Sequence, residues 1–230
     1  MDSIDLELVN ILLILVPFVL SIWAQSLVFG KYKKYSKVSN GRALTGKEAA
    51  EKFLLDNNIN DVRVLSTSGT LSDHYDPTKK TVFLSSDVYS GTSVAAVAIA
   101  CHEVGHAIQH NQGYSFIKLR TALVKPVQFA NQFSWILIIF GIMLSMSGLF
   151  WVGITLFSII ALFQLVTLPV ELNASARANE YLSTYMLGDY ESKGVKTVLR
   201  AAAFTYIVGL IASLAEILRF VLLFVNSDRD

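Results

Sequence analysis

The sequence predicts a mainly α protein: a four-span helical membrane protein carrying a small cytoplasmic α+β domain. Three observations lead there. Charge is absent from long runs, the basic residues gather between those runs, and the remaining polar stretch mixes short strand and helix patterns. The chain is 53% hydrophobic and only 16% charged, against roughly 25% charged in ordinary soluble domains.

The first run without charge is Leu8 to Gly30. A bilayer core needs about 20 apolar residues as helix, so 6–30 reads as span 1. The acids before it (Asp2, Asp5, Glu7) replace the basic start of a cleaved leader, so it reads as a span that is kept. The second run, Pro126 to Val170, is about twice the length one span requires and shows no polar face. It reads as a hairpin, spans 2 and 3 over 126–170, turning at Ser145-Met146-Ser147-Gly148. The last run begins at Ala201, and an apolar pattern continues as span 4 over 201–225.

Of the nineteen Lys and Arg residues, thirteen lie between Lys31 and Lys125 and four between Arg177 and Arg200. Basic loops stay cytoplasmic. The sequence therefore places 31–125 and 171–200 in the cytoplasm and both termini, with the 145–148 turn, outside a cell membrane. A net charge of +1 offers no electrostatic case for nucleic acid. The single cysteine, Cys101, excludes an intramolecular disulfide and reads as a small core residue.

Within 31–125, Lys31-Tyr32-Lys33-Lys34-Tyr35 reads as a juxtamembrane anchor. Thr45-Gly46-Lys47-Glu48 is a capping box opening a helix to about Leu55. Val62 to Leu65 and Thr81 to Ser85 read as strands, with a polar loop from Ser66 to Lys79 between them. Ser90-Gly91-Thr92-Ser93 is turn and cap for a helix from about Val94 to His110. The strand Thr81 to Ser85 is expected to offer an open edge to an extended peptide.

The helix carries His102-Glu103-Val104-Gly105-His106. Histidines four apart share one helix face, one turn from each other. Two imidazoles so placed can hold one Zn²⁺ at about 2.0–2.1 Å each. Glu103 lies beside the first of them, where a carboxylate can act as general base on a zinc-bound water without ligating. A catalytic site takes a third protein ligand and leaves one position open. No Asp or Glu occurs from Val104 to Val170, so the next acid is Glu171, where the chain returns from the hairpin. Pro169 marks the boundary, with a helix resuming through Tyr185. His110 drifts round the helix and reads as a partner for the helix C-terminus. His74 reads as a loop residue or substrate contact.

Ser93 through His110, Asp73-His74-Tyr75-Asp76-Pro77, and Leu168-Pro169-Val170-Glu171-Leu172-Asn173-Ala174-Ser175 together resemble the YugP-like family of bacterial membrane zinc metallopeptidases. The resemblance covers nearly the whole chain. It implies a gluzincin-like HExxH plan with a zincin-like catalytic domain, His102 and His106 as zinc ligands and Glu103 as the catalytic residue. The plan is also similar to the heat-shock membrane protease and CaaX-prenyl endopeptidase group. There an aspartate four residues after the glutamate ligand supports a zinc histidine. Ser175 stands at that position here, so the charge is missing and only a hydroxyl remains.

The function so expected is a membrane-embedded zinc-dependent endopeptidase. It would act on peptide or membrane-protein substrates at the cytoplasmic face of the lipid bilayer, with His102, His106 and Glu171 on the metal. The competing reading is a non-catalytic membrane scaffold or adaptor with a structural zinc site, which would close the coordination with four protein ligands. A small transporter would need polar, discontinuous spans, for which only Glu216 and Arg219 speak. Those two read as a pair within span 4, and Arg177 as a residue of the basic cytoplasmic side.

Overall fold

The computed structural model describes residues 3–185 and 188–227. Asp2, one of the acids that precede span 1, lies outside them. The described elements are α1 (Ser3–Tyr35), α2 (Gly46–Asp56), β1 (Arg63–Thr67), β2 (His74–Asp76), β3 (Thr81–Ser85), α3 (Ser86–Tyr89), α4 (Val94–Asn111), α5 (Ser115–Met143), α6 (Ser147–Tyr185) and α7 (Asp189–Ser227). The protein is thus mainly helical with one small sheet. Among the described residues, four helical stretches are long and apolar enough to cross a membrane: Leu6–Tyr35, Ser115–Met143, Ser147–Thr184 and Glu191–Asn226.

The chain divides into two compact units. One takes in the N-terminal stretch as far as Ala24, Leu119–Leu168, and the chain from Thr205 onward. Its core is aromatic. Phe150 stacks on Phe224 with centroids 4.0 Å apart, and Trp135 meets Phe157 and Phe220 edge to face. The α5–α6 turn is tight because Gly141 faces the backbone of Phe150, where a Cβ would lie 2.5 Å from its nitrogen. Around it Leu8, Ile11, Phe18, Val19, Ile22 and Trp23 of α1 point outward, as side chains in contact with lipid do. Glu216 and Arg219, three residues apart on α7, form an ion pair with each other, as the sequence suggested.

The other unit, Gln25–Lys118 with Pro169–Phe204, contains the sheet. Helix α2 opens on the expected capping box. The Thr45 side chain accepts from the Glu48 N–H at 3.1 Å, and Glu48 accepts from the Thr45 N–H at 2.8 Å. The strand order is β1-β3-β2, with β1 parallel and β2 antiparallel to β3. This corrects one expectation: β3 is the central strand, so its edge is not open. The covering strand, β2, is only three residues long, has no alternating pattern and runs into Pro77, so it reads as loop. The free edge beyond β3 on that side belongs to β2. Val82, Leu84, Val88, Val94, Val97 and Val104 are packed into one core with Ala178, Tyr181 and Leu182 of α6.

A second correction concerns Pro169. Helix α6 runs unbroken through it. Proline removes one backbone donor, a loss that long apolar helices absorb in their surroundings. Glu171 therefore lies within one continuous helix, and not on a separate one.

Candidate metal centre

Helix α4 is apolar almost all round, as a helix enclosed by its neighbours must be. Ser93 caps it, its hydroxyl accepting from the Ala96 N–H at 3.1 Å. The i, i+4 spacing puts the His102 and His106 rings on one face, centroids 4.8 Å apart and nearly perpendicular. Facing them runs α6, whose Val170, Glu171, Ala174 and Ala178 are buried. The approach is close because Gly105 has no side chain. A Cβ there would stand 2.8 Å from the Ala174 carbonyl oxygen and 3.0 Å from its Cα. Gly105→Ala is accordingly expected to push the two helices apart, costing about 1–3 kcal/mol of stability as overpacking and loosening zinc. Thermal melting and zinc titration of the variant measure both; an unchanged melt with unchanged affinity would show that the close approach is unnecessary.

The structure brings together three of the residues singled out from the sequence. One Glu171 oxygen lies 3.2 Å from His102 Nε2 and 3.5 Å from His106 Nε2. All three donor atoms fall within 4.8 Å of one another. A tetrahedral ion with bonds of about 2.0–2.1 Å holds its donors about 3.3–3.4 Å apart, so the spacing suits zinc. The second nitrogen of each ring is engaged elsewhere. His102 Nδ1 is 3.1 Å from the Ser175 hydroxyl, and His106 Nδ1 is 3.0 Å from Gln109 Oε1. Ser175 thus does touch a zinc-face histidine without the carboxylate's charge. Gln109 was not singled out as a histidine partner.

The electrostatics agree. Burial of His106 opposes its positive charge, but the hydrogen bond to Glu171 and the charges of Glu103 and Glu171 outweigh that, and its pKa is raised. A proton there does what a cation would do between converging lone pairs. Glu103 is buried on the same helix, at 9% exposure. Its charge also acts on Asp73, whose carboxyl is held above its usual range, chiefly by burial, although it accepts bonds from the Ser85 N–H and hydroxyl.

The remaining candidates stand apart from the triad. His74 stacks on Phe83 and places Nδ1 2.8 Å from the Ser72 carbonyl. His110, in the last turn of α4, packs its ring against Tyr75 of β2. Arg177 donates from Nε to Asn173 Oδ1 at 2.8 Å. Cys101 is fully buried, and burial pushes its thiol pKa well up, as fits a core residue.

The chain as a whole is similar to known proteins. The profile of the family described as "Putative neutral zinc metallopeptidase" matches residues 10–225. The chain belongs to this family. It is also 45% identical over 208 residues, 90% of this chain and 92% of the relative, to "Putative membrane protease YugP" of Bacillus subtilis (strain 168). No solved structure matches it. Family membership agrees with a zinc site, and the four apolar helices among the described residues are long enough to cross a membrane.

Proposed function

We propose that this member of the zinc metallopeptidase family is an endopeptidase that hydrolyses peptide bonds at the cytoplasmic membrane face, with zinc held by His102, His106 and Glu171. The convergence of two Nε2 atoms and one carboxylate, with both Nδ1 atoms engaged elsewhere, carries this reading. Bound zinc supplies Lewis-acid polarisation of the scissile carbonyl and a lower pKa for the attacking water. Glu103 takes the proton that the water gives up as its oxygen bonds to the carbonyl carbon, and returns it to the leaving amine as the C–N bond breaks. Helices α4 and α6 carry the ligands, and β2 is an edge strand, the kind of element that an extended substrate can pair with. A group of three candidate ligands among the described residues favours this over a structural zinc site in a scaffold, because a structural site uses four protein ligands.

The direct test is the full chain purified in detergent. It is expected to hold one zinc and to cleave casein or a membrane peptide. A chelator should abolish cleavage and added zinc restore it. Cleavage that survives complete metal removal would exclude the metallopeptidase reading.

Sidedness rests on the basic segments and is tested separately with single cysteines at exposed positions in a Cys101→Ala background. Ser39 and Lys193 should be shielded from an impermeant reagent added outside, and Ser147 and Asn226 should react. Outside labelling at Ser39 would move the active site to the opposite face.

A further inference from the structure

The His106 imidazole is held by more than the metal. Gln109 is fully buried, one turn on from His106. Its Oε1 lies 3.0 Å from His106 Nδ1, and its Nε2 lies 2.8 Å from the Val170 carbonyl and 3.0 Å from Asn173 Oδ1. Asn173 Oδ1 also receives the Arg177 Nε–H at 2.8 Å.

The polarity of this chain of bonds is settled by its two ends. A backbone carbonyl only accepts and a guanidinium only donates. Val170 therefore requires the Gln109 amine, not its oxygen, on the α6 side. Arg177 requires the Asn173 oxygen at the point where Gln109 donates. With Nε2 committed, Oε1 must face His106, and an oxygen acceptor there demands a proton on Nδ1. The lone pair of His106 is left on Nε2, the nitrogen that faces Glu171.

We infer that Gln109 is a positioning residue for the metal: through the Val170 carbonyl and the Asn173–Arg177 pair it sets the tautomer and ring orientation of His106. The inference rests on the zinc reading above. It assigns to a neutral amide a task that carboxylates or carbonyls more often perform behind a zinc histidine. It also ties α4 to α6 at the residue just before Glu171, so one side chain both aims His106 and fixes the helix that brings the third ligand.

Zinc affinity of the full chain in detergent, measured against a competing chelator, tests this alongside thermal melting. Gln109→Met fills the same space without polar atoms and is expected to weaken zinc about 10–100-fold. Gln109→Glu keeps an acceptor for the Nδ1 proton but turns an oxygen toward the Val170 carbonyl. It should melt lower than the parent yet bind zinc more tightly than Gln109→Met, an order that mere packing would not produce. A folded Gln109→Met that binds zinc as tightly as the parent overturns the inference, and so does a Gln109→Glu that binds no better than Gln109→Met. Should Gln109→Met fail to fold, ¹⁵N-histidine spectra of the zinc-loaded parent decide: protonated Nδ1 with Nε2 on the metal is expected for His106, and the reverse overturns it. A parent that binds no zinc sinks the zinc reading itself, whereas a parent that binds while Gln109→Met binds equally sinks only the role of Gln109.

Discussion

Glu103→Gln is expected to retain one zinc per chain and to lose turnover by about 10²–10⁴-fold, the usual worth of a positioned general base. The amide matches the carboxylate in size and stays within the same buried helix surroundings, so folding should be little affected. It cannot take a proton from water. Glu103 is outside the group of converging donor atoms, which consists of His102, His106 and Glu171, so metal content should not follow activity down. The substitution also removes a negative charge that helps to raise the Asp73 pKa, so that pKa should fall slightly toward its ordinary value. Metal analysis and kcat on the same preparation separate the two effects. Turnover close to the parent's would remove Glu103 from the mechanism, and loss of zinc along with turnover would make it a ligand.

The parts of the fold that are local in sequence are legible in it. Charge-free runs locate the apolar helices because a bilayer-length helix cannot contain many charges. The Thr45 box and the Ser93 cap mark helix starts because each satisfies backbone donors within three residues of itself. The motif histidines are legible because i, i+4 geometry needs no tertiary information. Glu171 is found by elimination, being the first acid after a long acid-free stretch. What is hidden is whatever depends on a distant partner. Gln109 bonds to a carbonyl 61 residues away, and neither residue type signals it. Gly105 looks like any small helix residue until Ala174 is seen against it. Proline's local preference suggests a break at Pro169, and tertiary surroundings override it. Strand β2 is three residues long and exists only because β3 lies beside it. Its presence turns β3 from an edge into a centre and moves the open edge of the sheet outward to His74–Asp76.

Glu171→Ala should cost more metal affinity than any change behind the ligands, exceeding the roughly 10–100-fold typical of those. Glu171 is 3% exposed, and its carboxylate is shared between the two imidazoles at 3.2 and 3.5 Å. Removing it leaves two neutral nitrogens, one short of the three protein ligands that catalytic zinc sites use, and a more positive net charge on the bound ion. Glu171→Asp keeps the charge with a shorter reach from a rigid helix, so it should bind and turn over at an intermediate level. The Ala variant also opens a small void beside His102, so its melting temperature must be read with its zinc affinity. A fall in both in the metal-free protein would mark packing, and a fall in affinity alone marks a ligand. His110→Ala is the control on the motif helix. Its ring packs on Tyr75 and it is not among the three converging residues, so zinc content should stay near the parent's. The reverse pattern, zinc lost with His110→Ala and kept with Glu171→Ala, would place the third ligand on the end of α4 and leave the buried carboxylate of α6 as a partner for protonated histidines only.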